Sequence, residues 1–188
     1  MLELLSLIIL WCLISIIPVR VFGHAFMGYW KKIGLKSYIF IWIWVPIVAY
    51  LIWFNKDILL VSIQTHLFLK LIGLLILIGG ISIWVWSGRK LGFRNMIAYR
   101  EIKGEKSKKE KLMTKGPYSL VRHPIYFGEF LGAIGMFLIS GVLSFIFYII
   151  FWPAITYFIT FFEEKGLIDK FGKEYRNYKK KVPRFFPD

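Results

Sequence analysis

"YFGEFLGAIGMFLISGVLSFIFYIIFWPAITYFITFF", residues 126–162, is the longest apolar run in the chain. A helix crosses the hydrocarbon core of a bilayer in about 20 residues, so this run is too long for a single crossing. "SGVLS" at 140–144 interrupts it, and Ser and Gly there favour a turn. The stretch therefore predicts a tight hairpin of two membrane helices, the first of them short. Working toward the N-terminus, three more apolar blocks stand out: residues 4–22, with Pro18 and Arg20 near the end, Tyr38–Phe54, and about His66–Trp86. Each is close to one crossing, which makes five spans.

Composition agrees. Of 188 residues, 57% are hydrophobic and 19% aromatic, with mean hydropathy +0.61. A soluble domain of this size has too little interior to hide that surface, whereas lipid solvates it. The fold expected is all-α, a polytopic membrane protein forming one domain over 1–188. Three spans fill 1–87; a long loop, the hairpin and a tail fill 88–188. The single cysteine, Cys12, lies in an apolar block, so no disulfide within the chain is possible. The N-terminus has neither a basic region nor a small-residue cleavage site and reads as a retained helix.

Charge sets the expected orientation. The formal net charge is +14, from 25 Lys and Arg against 11 Asp and Glu. Arg20, Lys31, Lys32 and Lys36 make the first connection basic; Lys56 and Asp57 cancel in the second. Loop 88–123 is strongly basic, turn 140–144 is uncharged, and the tail from Glu163 is basic again. Basic and neutral segments thus alternate. The positive-inside rule puts both basic loops and the tail in the cytoplasm, and the N-terminus and neutral turns outside. No soluble basic module is present, so nucleic-acid binding is excluded and the lysine-rich 103–116 is read as a solvated or headgroup-facing loop. The short chain and compact loops favour a prokaryotic plasma membrane over the endoplasmic reticulum. In the tail, Leu167, Phe171, Tyr175 and Tyr178 recur at helical spacing with lysines elsewhere, which predicts one amphipathic helix lying at the membrane surface.

A few polar residues at the rim ask for a chemical reason. Pro124 suits the first position of a helix and forces His123 out of the α region, so Arg122-His123-Pro124 marks a helix start beside a cation. That is a natural place for a carboxylate or phosphate; an arginine snorkelling to headgroups beside a capping histidine is the alternative. Glu163 and Glu164 directly follow an apolar run, repel each other and defy the positive-inside trend. At a helix C-terminus the dipole would disfavour them as well. A cation should compensate them: Arg122, a bound ion or a cationic cofactor. Glu129, one turn into the hairpin, is a further candidate because ionisable groups at that depth are expensive. Gly128 with Gly132, and Gly79 with Gly80, predict close helix packing. Lys70, His66 and His24 read as interfacial. Three scattered histidines and one cysteine offer no metal-ligand spacing, so no metal site is expected.

"GPYSLVRHPIYFGE" (116–129), "EE" (163–164) and "LIDKFGKEYRNYKKKVPRFFP" (167–187) together resemble the membrane methyltransferases, comprising the isoprenylcysteine carboxyl methyltransferases and phospholipid N-methyltransferases. The resemblance covers about the C-terminal 80 residues. It implies S-adenosylmethionine as methyl donor, held at the cytoplasmic rim, and a lipophilic acceptor, either prenylcysteine carboxylate-like or phospholipid amine-like. Carried over, the cofactor contacts are Leu112, Met113, Tyr118, Arg122, His123, Pro124, Ile125, Glu163 and Glu164, with Tyr126 lining the pocket. Arg122 and the helix start are expected to take the donor's carboxylate and the two glutamates its cationic end. His123, Arg122 and Glu163 are the candidate catalytic residues. This chain departs from the isoprenylcysteine enzymes in having Glu110-Lys111-Leu112-Met113 where they begin with His-x-Leu-Val. It also has uncharged "YFITFF" (157–162) where they place an arginine. "RHPIYFGE" is similar as well to NADPH-dependent membrane sterol reductases, but paired glutamates suit a polyanion poorly. A non-enzymatic membrane scaffold is the third reading and leaves the polar cluster unexplained.

Overall fold

The computed structural model of the chain describes residues 1–92, 102 and 111–186. The described elements are α1 (Leu2–Ala25), α2 (Met27–Ile33), a 3-10 turn (Gly34–Ser37), α3 (Tyr38–Phe54), α4 (Lys56–Leu59) and α5 (Leu67–Leu91). A second 3-10 turn (Gly116–Ser119) follows, then α6 (Pro124–Ser140), α7 (Ser144–Phe171) and α8 (Lys173–Lys181). Among the described residues there is no β-strand, only an isolated antiparallel bridge between Ser62 and Val142. Leu2–Ala25, Met27–Phe54, Leu67–Leu91 and Ser144–Phe171 are long and apolar enough to cross a membrane, and α6 is a shorter apolar helix. The protein is all-α and polytopic. Lysine-rich residues 103–110 lie outside the described residues.

Boundaries follow local chemistry closely in places. The second predicted span, 38–54, coincides with α3 at both ends. The hairpin breaks where expected, with α6 ending on Gly141 in the left-handed region (φ 69°). Only a residue without Cβ fits there, because an added Cβ would collide with the Ile63 carbonyl oxygen. Two expectations need correction. Helix α7 does not end at the glutamate pair but continues to Phe171, so Glu163 and Glu164 lie inside a helix. The single amphipathic helix of the tail is broken at Gly172 (φ 55°), which leaves Leu167 and Phe171 on α7 and the buried Tyr175 and Tyr178 on α8.

Helices α5 and α6 run antiparallel in very close contact, and the sequence shows how. A Cβ on Gly135 would lie 2.7 Å from the Gly73 oxygen and the Leu77 nitrogen, and one on Gly80 would lie 2.7 Å from the Gly128 oxygen. Without a hydrophobic drive between helices in lipid, such backbone approach is what associates them. The seam is therefore Gly73, Gly80, Gly128 and Gly135. Gly79 and Gly132, expected to share it by their own surfaces, have open space where a Cβ would be. Gly135→Val should accordingly destabilise by about 1–3 kcal/mol or more through overpacking against unyielding backbone. Gly132→Ala should be neutral or stabilising by up to about 1 kcal/mol. Thermal unfolding in detergent separates the two.

Span α1 packs on the hairpin through Leu10 and Leu13 against Ala133, Met136 and Phe145. It is tied to α3 by reciprocal indole bonds: Trp11 Nε1 donates to the Val45 oxygen (3.0 Å) and Trp44 Nε1 to the Ser15 oxygen (3.2 Å). At one end of the bundle the two connections without net charge bond to each other. The Ile63 amide donates to the Gly141 oxygen (3.0 Å) and the Leu143 amide to the Val61 oxygen (2.9 Å). That is the alternation read from charge. From Ser144 to Glu163 the helix rises about 28 Å, so the ionisable motifs gather at the opposite end.

Candidate functional site

Adjacent residues on a helix diverge by about 100°, and Glu163 and Glu164 use that divergence. Glu164 is 2% exposed and held by four basic residues. Arg122 Nε donates to its Oε1 (2.9 Å) and Lys179 Nζ to its Oε2 (2.7 Å). Arg184 reaches both oxygens (3.2 and 3.0 Å), and His123 Nε2 lies 3.2 Å from Oε1. Arg122 Nη2 also lies 2.9 Å from Glu164 Oε1, and Nη1 donates to the Lys179 and Val182 oxygens (3.0 and 2.6 Å). The Arg122 and His123 amides donate to the Pro183 and Arg184 carbonyls (2.8 and 3.1 Å). The expected convergence of acids and bases is present: Arg122, named above as a cation that could compensate the glutamates, pairs with Glu164 and also binds two carbonyls. Glu164 thus fastens the tail across the start of α6.

Glu163 points the other way and has a looser set of partners. Its Oε2 accepts from the Tyr126 hydroxyl (3.1 Å) and lies 3.6 Å from His123 Nδ1 and 4.0 Å from His24 Nε2. Among the described residues no Lys or Arg nitrogen comes within 4 Å of it, and its side chain keeps 25% exposure. His123, 4% exposed, therefore sits between two carboxylates with one ring nitrogen on each. Its position is fixed by Pro124 at the first position of α6, as the sequence predicts.

The remaining candidates surround this pair. Tyr118 is buried in the 3-10 turn, and its hydroxyl donates weakly to the Ser87 oxygen (3.5 Å). Burial, with the Glu163 charge nearby, pushes its phenol well above the usual tyrosine range. Tyr178 of α8 donates to the Tyr118 carbonyl (2.6 Å), which ties tail to turn. Pro124, Ile125 and Tyr126 are buried on the first turn of α6. Leu112 and Met113 are half-buried in the irregular segment that leads into the 3-10 turn.

Sequence reasoning gave Lys179, Arg184, Arg20 and His24 no place in the site. The first two could have been sought from the demand Glu164 makes for cations. Arg20 forms a bidentate pair with Glu129, both N–O distances 2.6 Å, across helices far apart in the chain.

Chemically, the arrangement offers a carboxylate that has no Lys or Arg partner among the described residues, flanked by a histidine and two tyrosines, at one end of a membrane bundle. The class these features define is a polytopic, all-α integral membrane protein with an ionisable cluster at one end of its bundle. Residues 68–174 match the phospholipid methyltransferase family, and the chain belongs to it. It is 36% identical over 88 residues to a protein-S-isoprenylcysteine O-methyltransferase of Schizosaccharomyces pombe, covering 46% of this chain and 37% of that one. The corresponding enzyme of Mus musculus is 37% identical over 94 residues, 46% of this chain and 31% of the relative. The nickel-cobalt-cadmium resistance protein NccN of Alcaligenes xylosoxydans xylosoxydans is 31% identical over 86 residues, 46% of this chain and 39% of its own. The chain thus matches between 31% and 39% of the length of these relatives. No solved structure matches it.

Proposed function

We propose that the protein transfers a methyl group from S-adenosylmethionine to a lipophilic acceptor at the cytoplasmic face of its membrane. The observation that carries this reading is Glu163: a carboxylate with no Lys or Arg nitrogen within 4 Å among the described residues, next to His123 and Tyr126. A cationic sulfonium or ammonium is the partner such a group lacks. Paired arginine and lysine contacts would instead be expected around a site for a polyanion such as NADPH, and those cations are already engaged by Glu164.

S-adenosylmethionine supplies an activated methyl, so the protein's task is alignment and exclusion of water. Glu163 holds the donor's positive end, while Tyr118, Ile125 and Tyr126 wall the pocket. Leu112 and Met113 close it from the loop. Arg122, His123 and Glu164 keep the tail and the start of α6 together, so the wall is rigid when acceptor and donor meet. An acceptor that arrives as a carboxylate needs no base. One that arrives as an ammonium must lose a proton first, and His123 Nδ1, facing Glu163 at 3.6 Å, is the nitrogen placed to receive it. The acceptor approaches sideways from lipid, which suits either a prenylated carboxylate or a phospholipid amine.

Thermal unfolding of detergent-purified protein with S-adenosylhomocysteine or NADPH checks the assignment. S-adenosylhomocysteine at about 100 times its dissociation constant should stabilise by about 2.7 kcal/mol, and NADPH should leave the transition unmoved. Stabilisation by NADPH alone would overturn the reading in favour of a reductase. Silence with both ligands would favour a scaffold.

A further inference from the structure

The Arg20–Glu129 pair joins α1 to α6, with side chains 15% and 11% exposed. Docking of α1 does not require it, because Leu10, Leu13 and the two indole bonds already anchor that helix. Apolar residues of similar volume often replace a buried ion pair without loss of stability. A role beyond docking is open to the pair, and the position of Arg20 supplies one. The guanidinium carbon lies 4.4 Å from the centroid of the Tyr126 ring, and the Tyr126 hydroxyl donates to Glu163. Beside the ring is a cavity of about 10 Å³, room for a single water, bounded by Arg20, Glu129, Tyr148 and Trp152 as well as Tyr126 itself. Trp152 is buried there, and its Nε1 donor has no partner among the described residues. Tyr126 packs with Trp152 and Ile159, and at the edge of the cavity the guanidinium stacks on its ring.

We propose that Arg20 is a positioning residue for the site. Locked in plane by Glu129, it holds the Tyr126 phenol, and the phenol aims Glu163 at the cationic end of the donor. The inference rests on the assignment of Glu163 above. Arg20 lies outside residues 68–174, so the first span contributes to the site from beyond the segment that matches the family.

The test is the paired substitution Arg20→Met/Glu129→Met in the full-length, detergent-purified protein, titrated with S-adenosylmethionine and with S-adenosylhomocysteine. The variant should melt close to wild type. Affinity for the cationic donor should fall about tenfold while the uncharged-sulfur product loses less, so the preference between them narrows. Adding Tyr126→Phe to the pair should cause little further loss, since both act through the same phenol. A merely structural pair would leave the preference where it was, and that result in a normally melting variant overturns the inference. Should the pair variant fail to fold, Arg20→Lys keeps the charge but not the planar stack. A narrowed preference there supports the proposal and an unchanged one overturns it. Wild-type protein that binds neither ligand overturns the reading of Glu163 and this inference together, whereas wild-type binding with an indifferent variant overturns this inference alone.

Discussion

Glu164→Gln should destabilise the protein by about 3–5 kcal/mol, the scale for removing one partner from a buried charge cluster. The carboxylate is almost wholly buried, and so is Arg122 at 8% exposure. With the negative charge gone, Arg122 and Arg184 would face one another with only an amide between them. The largely exposed Lys179 (41%) would lose little, because water screens it. The loss should concentrate in the tail, since Arg122 also binds the Lys179 and Val182 carbonyls and the start of α6 binds those of Pro183 and Arg184. The expected result is a lowered unfolding temperature together with faster tryptic cleavage at Lys179–Lys181 and Arg184. A tail as resistant as wild type would show that Glu164 does not fasten it.

Glu163→Gln should behave in the opposite way. Glutamine keeps an oxygen for the Tyr126 hydroxyl, and the side chain is partly exposed, so stability should stay within about 1 kcal/mol of wild type. Binding of a cationic ligand should suffer instead. A hydrogen bond to a charged group contributes about 1.5–3 kcal/mol, which makes the expected loss of S-adenosylmethionine affinity about 10- to 100-fold. Two neighbouring, chemically identical residues thus fail differently: one variant unfolds more easily and still binds while folded, the other folds normally and binds poorly. Isothermal titration beside a melting curve distinguishes them.

Much of this was legible in the sequence because the causes are local. Apolar length sets the spans, "SGVLS" sets the hairpin, and Pro124 places His123 at the start of α6. Charge alternation anticipated that connection 55–65 and turn 140–144 share one end, where they hydrogen-bond. The need of the glutamate pair for cations was also readable. What the sequence could not say was how the pair divides, since that depends on the phase of a helix that continues to Phe171. The spacing of Leu167, Phe171, Tyr175 and Tyr178 fits one helix, and only the backbone of Gly172 reveals two. Arg20 and Glu129 find each other through tertiary packing of α1 on α6, which no local pattern encodes. Among the glycines, which ones face the neighbouring backbone depends on helix rotation, so Gly80 and Gly128 were found while Gly73 and Gly135 were not.

The central claim is that Glu163 and its neighbours bind a cationic nucleoside donor. Equilibrium dialysis of the purified wild-type protein against methyl-labelled S-adenosylmethionine tests it most directly. The account predicts one saturable site per chain, emptied by S-adenosylhomocysteine and indifferent to NADPH. No saturable binding, or a site that NADPH empties, would contradict it.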